Sequence, residues 1–135
     1  MVRDNCLCLH AQRAARALAR HFDEAFRPLG LTNFQFSLLM SLNRPGPASM
    51  GAVAAVLAMD RTTLTAALKP LQRRKLVRVK ASPKDKRIHL MELTGAGRTL
   101  LARAVPIWTK AHKEIESLLR KSDANTLRRD LLALS

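Results

Sequence analysis

Apolar residues recur at helical spacing over most of the chain and alternate over two short runs. The pattern therefore predicts a mainly helical protein with one β-hairpin. From Leu7 to Phe26, the residues Leu7, Ala11, Ala14, Leu18, Phe22 and Ala25 fall on one face, and Arg13, Arg16 and Arg20 lie on others. Pro28 and Gly30 end that helix. Thr32 is placed to cap a second helix, with Gln35 at capping-box spacing, and this helix would bury Phe36, Leu39, Met40 and Leu42. Asn43-Arg44-Pro45-Gly46-Pro47 reads as a loop. Ser49 then caps a short helix carrying Met50, Val53, Ala54, Val56 and Leu57, which breaks at Ala58-Met59-Asp60.

Asp60 is a good N-cap for the next helix, Arg61 to about Arg74. Leu64, Leu68 and Leu71 form its buried stripe, leaving Thr62, Thr63, Thr65, Ala66 and Lys69 outward. Val77 and Val79 alternate with Arg78 and Lys80; Met91 and Leu93 flank Glu92. Both runs fit strands with one buried face. Two short helices, a tight turn and then a basic hairpin make a winged helix-turn-helix. Thr94 caps a long final section with an apolar face of Leu100, Leu101, Ala104, Ile107, Trp108, Ala111, Ile115 and Leu118, which Pro106 should kink or break. Ser122 or Asp123 caps a last helix, Ala124 to Leu134. So much apolar surface at the two chain ends exceeds what a small winged helix can bury, and a homodimer interface explains it. The fold class expected is thus mainly α (α+β): a winged helix-turn-helix whose N- and C-terminal helices form a dimerisation region. One domain would span 1–135, with 7–28 and 95–135 as dimerisation helices and 32–94 as the winged-helix lobe.

Charge sharpens this picture. The formal net charge is +14, and residues 61–90 hold ten Lys or Arg against a single acid, Asp85. Such a balance favours a polyanion, nucleic acid before anionic membrane. A hydrophobic content of 47% rules out a disordered basic tail. The absence of Tyr argues against base-stacking recognition of single strands. No apolar run is long enough for a membrane span and no secretory pattern opens the chain, so a cytoplasmic protein is expected. Paired carboxylates, a phosphate-cradling Gly loop and a nucleophile with a base are all missing, so no enzyme and no cofactor is expected.

At this point the sequence resembles the MarR (multiple-antibiotic-resistance regulator) family. The resemblance rests on Leu29-Gly30-Leu31-Thr32-Asn33-Phe34-Gln35-Phe36, Met59 to Thr65, Leu71 to Val77, Asp85-Lys86-Arg87 and Leu93-Thr94-Gly95-Ala96-Gly97, in that order. It implies a homodimeric transcriptional regulator of pseudo-palindromic double-stranded DNA, usually a repressor released by a small-molecule effector or by oxidation. Carried onto this chain, Arg61 to Arg74 is the recognition helix. Arg61, Thr62, Thr63, Thr65 and Ala66 would face base edges in the major groove. Lys69 and Arg73 would reach phosphate, and Arg74 belongs to the same DNA-binding set, with a solvated basic helix end as the alternative for Arg73 and Arg74. Lys84, Lys86 and Arg87 would form the wing, with Arg87 in the minor groove. Asp85 would brace the wing through a neighbouring Arg, Arg73 or Arg74. Two features depart from the pattern. Lys75 stands where many relatives carry Gly, at a position near left-handed geometry that costs a non-Gly residue on the order of 1 kcal/mol. Pro70 lies inside the recognition helix and should bend it locally.

The remaining chemistry is sparse. Cys6, Cys8 and His10 would point in different directions on a helix, so no metal site is expected. Leu7-Cys8 with Arg16 resembles the start of the organic-hydroperoxide-sensing branch, which makes Cys8 the candidate for a thiol switch; those sensors also use Tyr hydroxyls, which this chain lacks. His10, Phe34, Trp108 and His112 are the candidates for lining an effector pocket, with core packing as the alternative. An architectural DNA binder without sequence preference is the other rival.

Overall fold

The computed structural model describes all 135 residues. In chain order the elements are α1 (Val2–Asn5), α2 (Leu7–Phe26), a 3-10 turn (Arg27–Leu29), α3 (Asn33–Ser41), β1 (Ala48–Ser49), α4 (Met50–Val56), α5 (Arg61–Arg73), β2 (Val77–Ala81), β3 (His89–Leu93), α6 (Gly95–Glu116) and α7 (Ala124–Ala133). They form two compact units: residues 34–105, and residues 1–33 together with 106–135. No single helix is long and apolar enough to cross a membrane.

Residues 34–105 are assembled by caps and a closed core. Ser49 Oγ accepts the Ala52 N–H at 3.2 Å and starts α4. Asp60 starts α5, and Ala58 turns the chain between the two helices at φ 50°. Leu64, Leu68 and Leu71 of α5 are buried with Leu38, Leu39, Leu42, Val53 and Met91. The sheet is antiparallel in the order β1-β3-β2. Val77 sits opposite Leu93 and Val79 opposite Met91, as the alternation predicts. The third strand, β1, pairs Ala48 with Met91. Two residues are too short to show a period, which is why the pattern did not announce it.

One expected core position is wrong. Met40 is 40% exposed, and Leu38 is buried in its place. Helix α3 is apolar almost all round, through Phe34, Phe36, Leu38, Leu39 and Met40, so its sequence does not define which face turns inward. The lobe also reaches further than residue 94. Leu100, Leu101 and Ala104, on the first turns of α6, are buried, and this unit runs to Val105. Gly97 makes that packing possible: a Cβ there would lie 2.1 Å from the Leu76 carbonyl oxygen.

The chain ends are built differently. Phe22 and Phe26 of α2 are buried, with their rings stacked at 6.1 Å. The helix leaves through the 3-10 turn and Gly30 at φ 63°, and the Asn33 N–H donates to Asp23 at 2.6 Å. The rest of the predicted α2 stripe is uncovered: Leu7 is 71% exposed, and Ala11, Ala14 and Leu18 are exposed as well. A four-residue helix, α1, precedes it and was not foreseen. Helix α6 runs through Pro106 without a break, and α5 likewise through Pro70. Of the two candidate caps for α7, Asp123 serves, accepting the Thr126 N–H at 2.9 Å. No residue of α7 is buried.

Candidate nucleic-acid interface

The cap of α5 decides what its first turn can offer. Asp60 accepts the Thr63 N–H through Oδ1 and the Thr63 hydroxyl through Oδ2, both at 2.8 Å. The Thr63 backbone bond, then its hydroxyl bond, holds the Asp60 carboxyl below its usual range. Thr65 Oγ1 donates to the Arg61 carbonyl at 2.8 Å. Thr63 and Thr65 have therefore spent their hydroxyl protons. Toward a base edge they present lone pairs and a methyl group. Arg61, Thr62, Thr63, Thr65, Ala66 and Lys69 are all exposed, as the sequence predicts, and so are Arg73 and Arg74. Arg61 folds back over α4: a Cβ at Gly51 would lie 3.0 Å from its Nη2, so the missing side chain leaves room for the guanidinium.

Behind α5, Lys75 takes the left-handed conformation at φ 57°. Thr94 Oγ1 donates to the Lys75 carbonyl at 2.6 Å and accepts the Gly97 N–H at 3.0 Å. One hydroxyl thus ties the end of α5 to the start of α6, offsetting the cost of a non-Gly residue at the turn. This gives the Leu93-Thr94-Gly95-Ala96-Gly97 run a physical reason. Thr94 joins the two elements, and Gly97 lets them approach.

The wing loop, residues 82–88, is organised from within. Ser82 N–H donates to the Ile88 carbonyl at 2.8 Å, and Ser82 Oγ accepts the Lys84 N–H at 3.2 Å. Asp85 does brace this loop, but through a different arginine from the pair expected. Arg87 donates to it from its backbone N–H at 3.0 Å and from Nε and Nη2 at 3.1 Å each. A carboxylate two residues back in a tight turn reaches Arg87 without ordering a long-range pair. The Arg87 side-chain and backbone donors keep the Asp85 carboxyl below its ordinary range. The Arg87 side chain remains 90% exposed, held out at the wing. Lys84 and Lys86 are exposed beside it.

The ten cations counted along this stretch are not equivalent. Glu92 pairs with Arg78 at 3.0 Å and Lys80 at 3.4 Å, and the Arg78 bond is the main reason its carboxyl is held low. One carboxylate thus offsets one of the two hairpin charges. The rest of the outward positive face lies on α5, Lys75 and the loop, where Asp85 in turn offsets Arg87. Sequence reasoning gave His89 no role beyond an exposed place after the wing; it is exposed, and it lines clefts with Arg61, Thr65, Lys69 and Arg87. The signal was available: by strand alternation His89 shares the α5-facing side of β3 with Met91 and Leu93.

The other candidates fall elsewhere. Trp108 and His112 stack at 4.5 Å on α6, and His112 Nδ1 lies 3.3 Å from Glu116. His10 Nδ1 is 2.8 Å from the Cys6 carbonyl near the start of α2. Phe34 is half-buried on α3. Within the terminal unit a groove of about 400 Å³ is lined by His21, Glu24, Ala25, Ile107, Lys110 and Glu114, among others, and none of the four candidates lines it. His21 and Glu114 face each other at 3.3 Å. Cys6 is the N-cap of α2, its Sγ accepting the Leu9 N–H at 3.4 Å. Cys8 is exposed and accepts from Gln12 at 3.2 Å.

A family model described as MarR family matches residues 29–88, from the end of the 3-10 turn to the wing loop. The transcriptional regulator MosR of M. tuberculosis, solved in complex with DNA, is 40% identical; the match covers 96% of this chain and 93% of that one, with a TM-score of 0.87. The chain belongs to the MarR family. As a MarR-family protein it is also 34% identical over 76 residues to the HTH-type transcriptional repressor NicR of Pseudomonas putida. That match covers 56% of this chain and 48% of the repressor, so it spans about half of NicR. BpsR of Bordetella bronchiseptica, solved in work on regulation of its DNA binding by 6-hydroxynicotinic acid, is 25% identical, with coverage of 96% and 93% and a TM-score of 0.85. Both solved structures thus match this chain over nearly its whole length.

Proposed function

We propose that this protein is a cytoplasmic homodimeric transcriptional regulator that binds a pseudo-palindromic duplex sequence-specifically, acting as a repressor that a small-molecule effector releases. The observation that carries the reading is the pairing of two cationic elements. Helix α5 offers Arg61, Thr62, Thr63, Thr65, Ala66 and Lys69 outward, and the braced loop holds Arg87 out in solvent. A helix for the major groove and an arginine for the adjacent minor groove make a two-groove grip. Arg73, Arg74, Lys84 and Lys86 add phosphate contacts. The apolar faces left open on α2 and α7 support the homodimer, which would set two recognition helices about 34 Å apart. NicR's role as a repressor and BpsR's regulation by a small molecule support the mode of action.

The test is a footprint on the DNA upstream of the protein's own gene, with random duplex as competitor. A protected palindrome that survives competition is expected, with affinity falling steeply with salt. Equal affinity for random duplex would mean an architectural binder. A second reading, thiol control, is favoured by the exposure of Cys8. In the same assay, equal release of wild type and Cys8→Ser by peroxide would remove it.

A further inference from the structure

His89 occupies a position that none of the assigned roles explains. It lies on the side of β3 that carries buried Met91 and Leu93, yet beyond the core, where its side chain is exposed. It lines two clefts between α5 and the wing, of about 270 and 360 Å³. The charged groups facing it are Arg61 and Lys69 from α5 and Arg87 from the wing. The other packed elements contribute only uncharged residues: Ser49, Met50 and Gly51 at α4, and Val79 on β2. No carboxylate lines either cleft. Gly51 keeps the space that Arg61 fills there.

A protein that sets a helix in the major groove and a loop in the adjacent minor groove must pass one DNA strand between them. The phosphates of that strand meet whatever lines the gap between helix and loop. Here the gap is lined by two arginines, a lysine and an imidazole, and the nearby acid, Asp85, lies outside the lining and is bonded to Arg87.

We propose that His89 is a phosphate-binding residue, seating with Arg61 the DNA strand that runs between α5 and the wing, and that binding takes up a proton from solvent at His89. The inference rests on the reading of α5 and the wing as a DNA surface. Imidazole is the side chain whose charge changes between pH 5 and 8, and the imidazolium form alone adds charge attraction to a phosphodiester. Phosphate contacts do not depend on sequence, so a mixed-sequence duplex of about 40 base pairs at low salt is a sufficient probe.

The experiment measures affinity for that duplex at pH 5.5 and 8.0 for wild type, His89→Gln and His89→Lys. Wild type should bind about tenfold more tightly at the lower pH. His89→Gln should lose most of that difference and match wild type at pH 8.0. His89→Lys should bind at both pH values about as tightly as wild type does at 5.5. His10, His21 and His112 are common to all three proteins, so their contribution cancels in the comparison. If His89→Gln keeps the full pH dependence, or His89→Lys fails to restore tight binding, the role of His89 is overturned while DNA binding stands. If none of the three binds at either pH, the DNA-surface reading falls with it.

Discussion

All but Phe22, Phe26, Leu31 and Ala111 of the buried apolar side chains lie in residues 34–105, whereas most of the exposed large ones lie in the chain ends. In the lobe only Met40, Val56, Ile88 and Val105 are left open. In the terminal unit Leu7, Leu18, Trp108, Leu118, Leu127, Leu131, Leu132 and Leu134 are. The two regions use the same local chemistry. Asp60 and Asp123 cap their helices with the same double bond to a Thr three residues on. What differs is closure. The lobe completes its own core, while the terminal helices carry apolar faces that a single chain leaves in water. Contiguous open faces of this kind belong to interaction surfaces, which is the support for a second copy as their occupant.

The comparison can be broken most directly by truncating one leucine in each region. Leu68→Ala removes a side chain that is 1% exposed and should cost about 2–5 kcal/mol in urea unfolding. Leu132→Ala, at 73% exposure, should shift the same measurement by less than about 0.5 kcal/mol at low protein concentration, and should instead weaken association in sedimentation. Equal losses from both would erase the distinction. A smaller effect is expected from Gly97→Ala. Its new Cβ would meet the Leu76 backbone carbonyl at 2.1 Å, and the lobe should lose about 1–3 kcal/mol. An unchanged melting temperature would show that α6 is not seated on that strand end.

The smallest effect should come from acid. The folded-state carboxyls of Asp60 and Asp123 are both lowered, first by the backbone bond from the capped Thr. A lowered folded value means the cap's stabilisation is complete above the unfolded value of about 4 and is lost as pH falls through the folded one. Asp60→Asn keeps an acceptor but cannot titrate, so its helix signal should change less than wild type between about pH 4 and pH 2. Identical acid profiles by circular dichroism would show that the cap carries no pH dependence.

Much of the lobe was legible because its determinants are local. The caps at Ser49 and Asp60, the Leu64–Leu68–Leu71 stripe and the hairpin alternation each depend on neighbours within a few residues. The outward set on α5 followed from the same period. Asp85 shows where that reasoning stopped. Its sequence marks it as the acid of the wing, but a choice between Arg73, Arg74 and Arg87 depends on the path of the loop. Met40 marks a second limit, since a helix apolar all round has no inward face until a core selects one.

What the sequence determined by itself, then, is the order of the elements from α2 to α7 apart from the two-residue β1, the caps of α4 and α5, and the sign of the charge on α5 and the wing, all of which arise from short-range periods and composition. The tertiary structure decided which cations are paired, Arg78 and Lys80 with Glu92 and Arg87 with Asp85. It also decided that Thr94 joins Lys75 to α6 and that His89 faces Arg61, Lys69 and Arg87. Those contacts join residues far apart in the chain, and no local spacing encodes the distance between them.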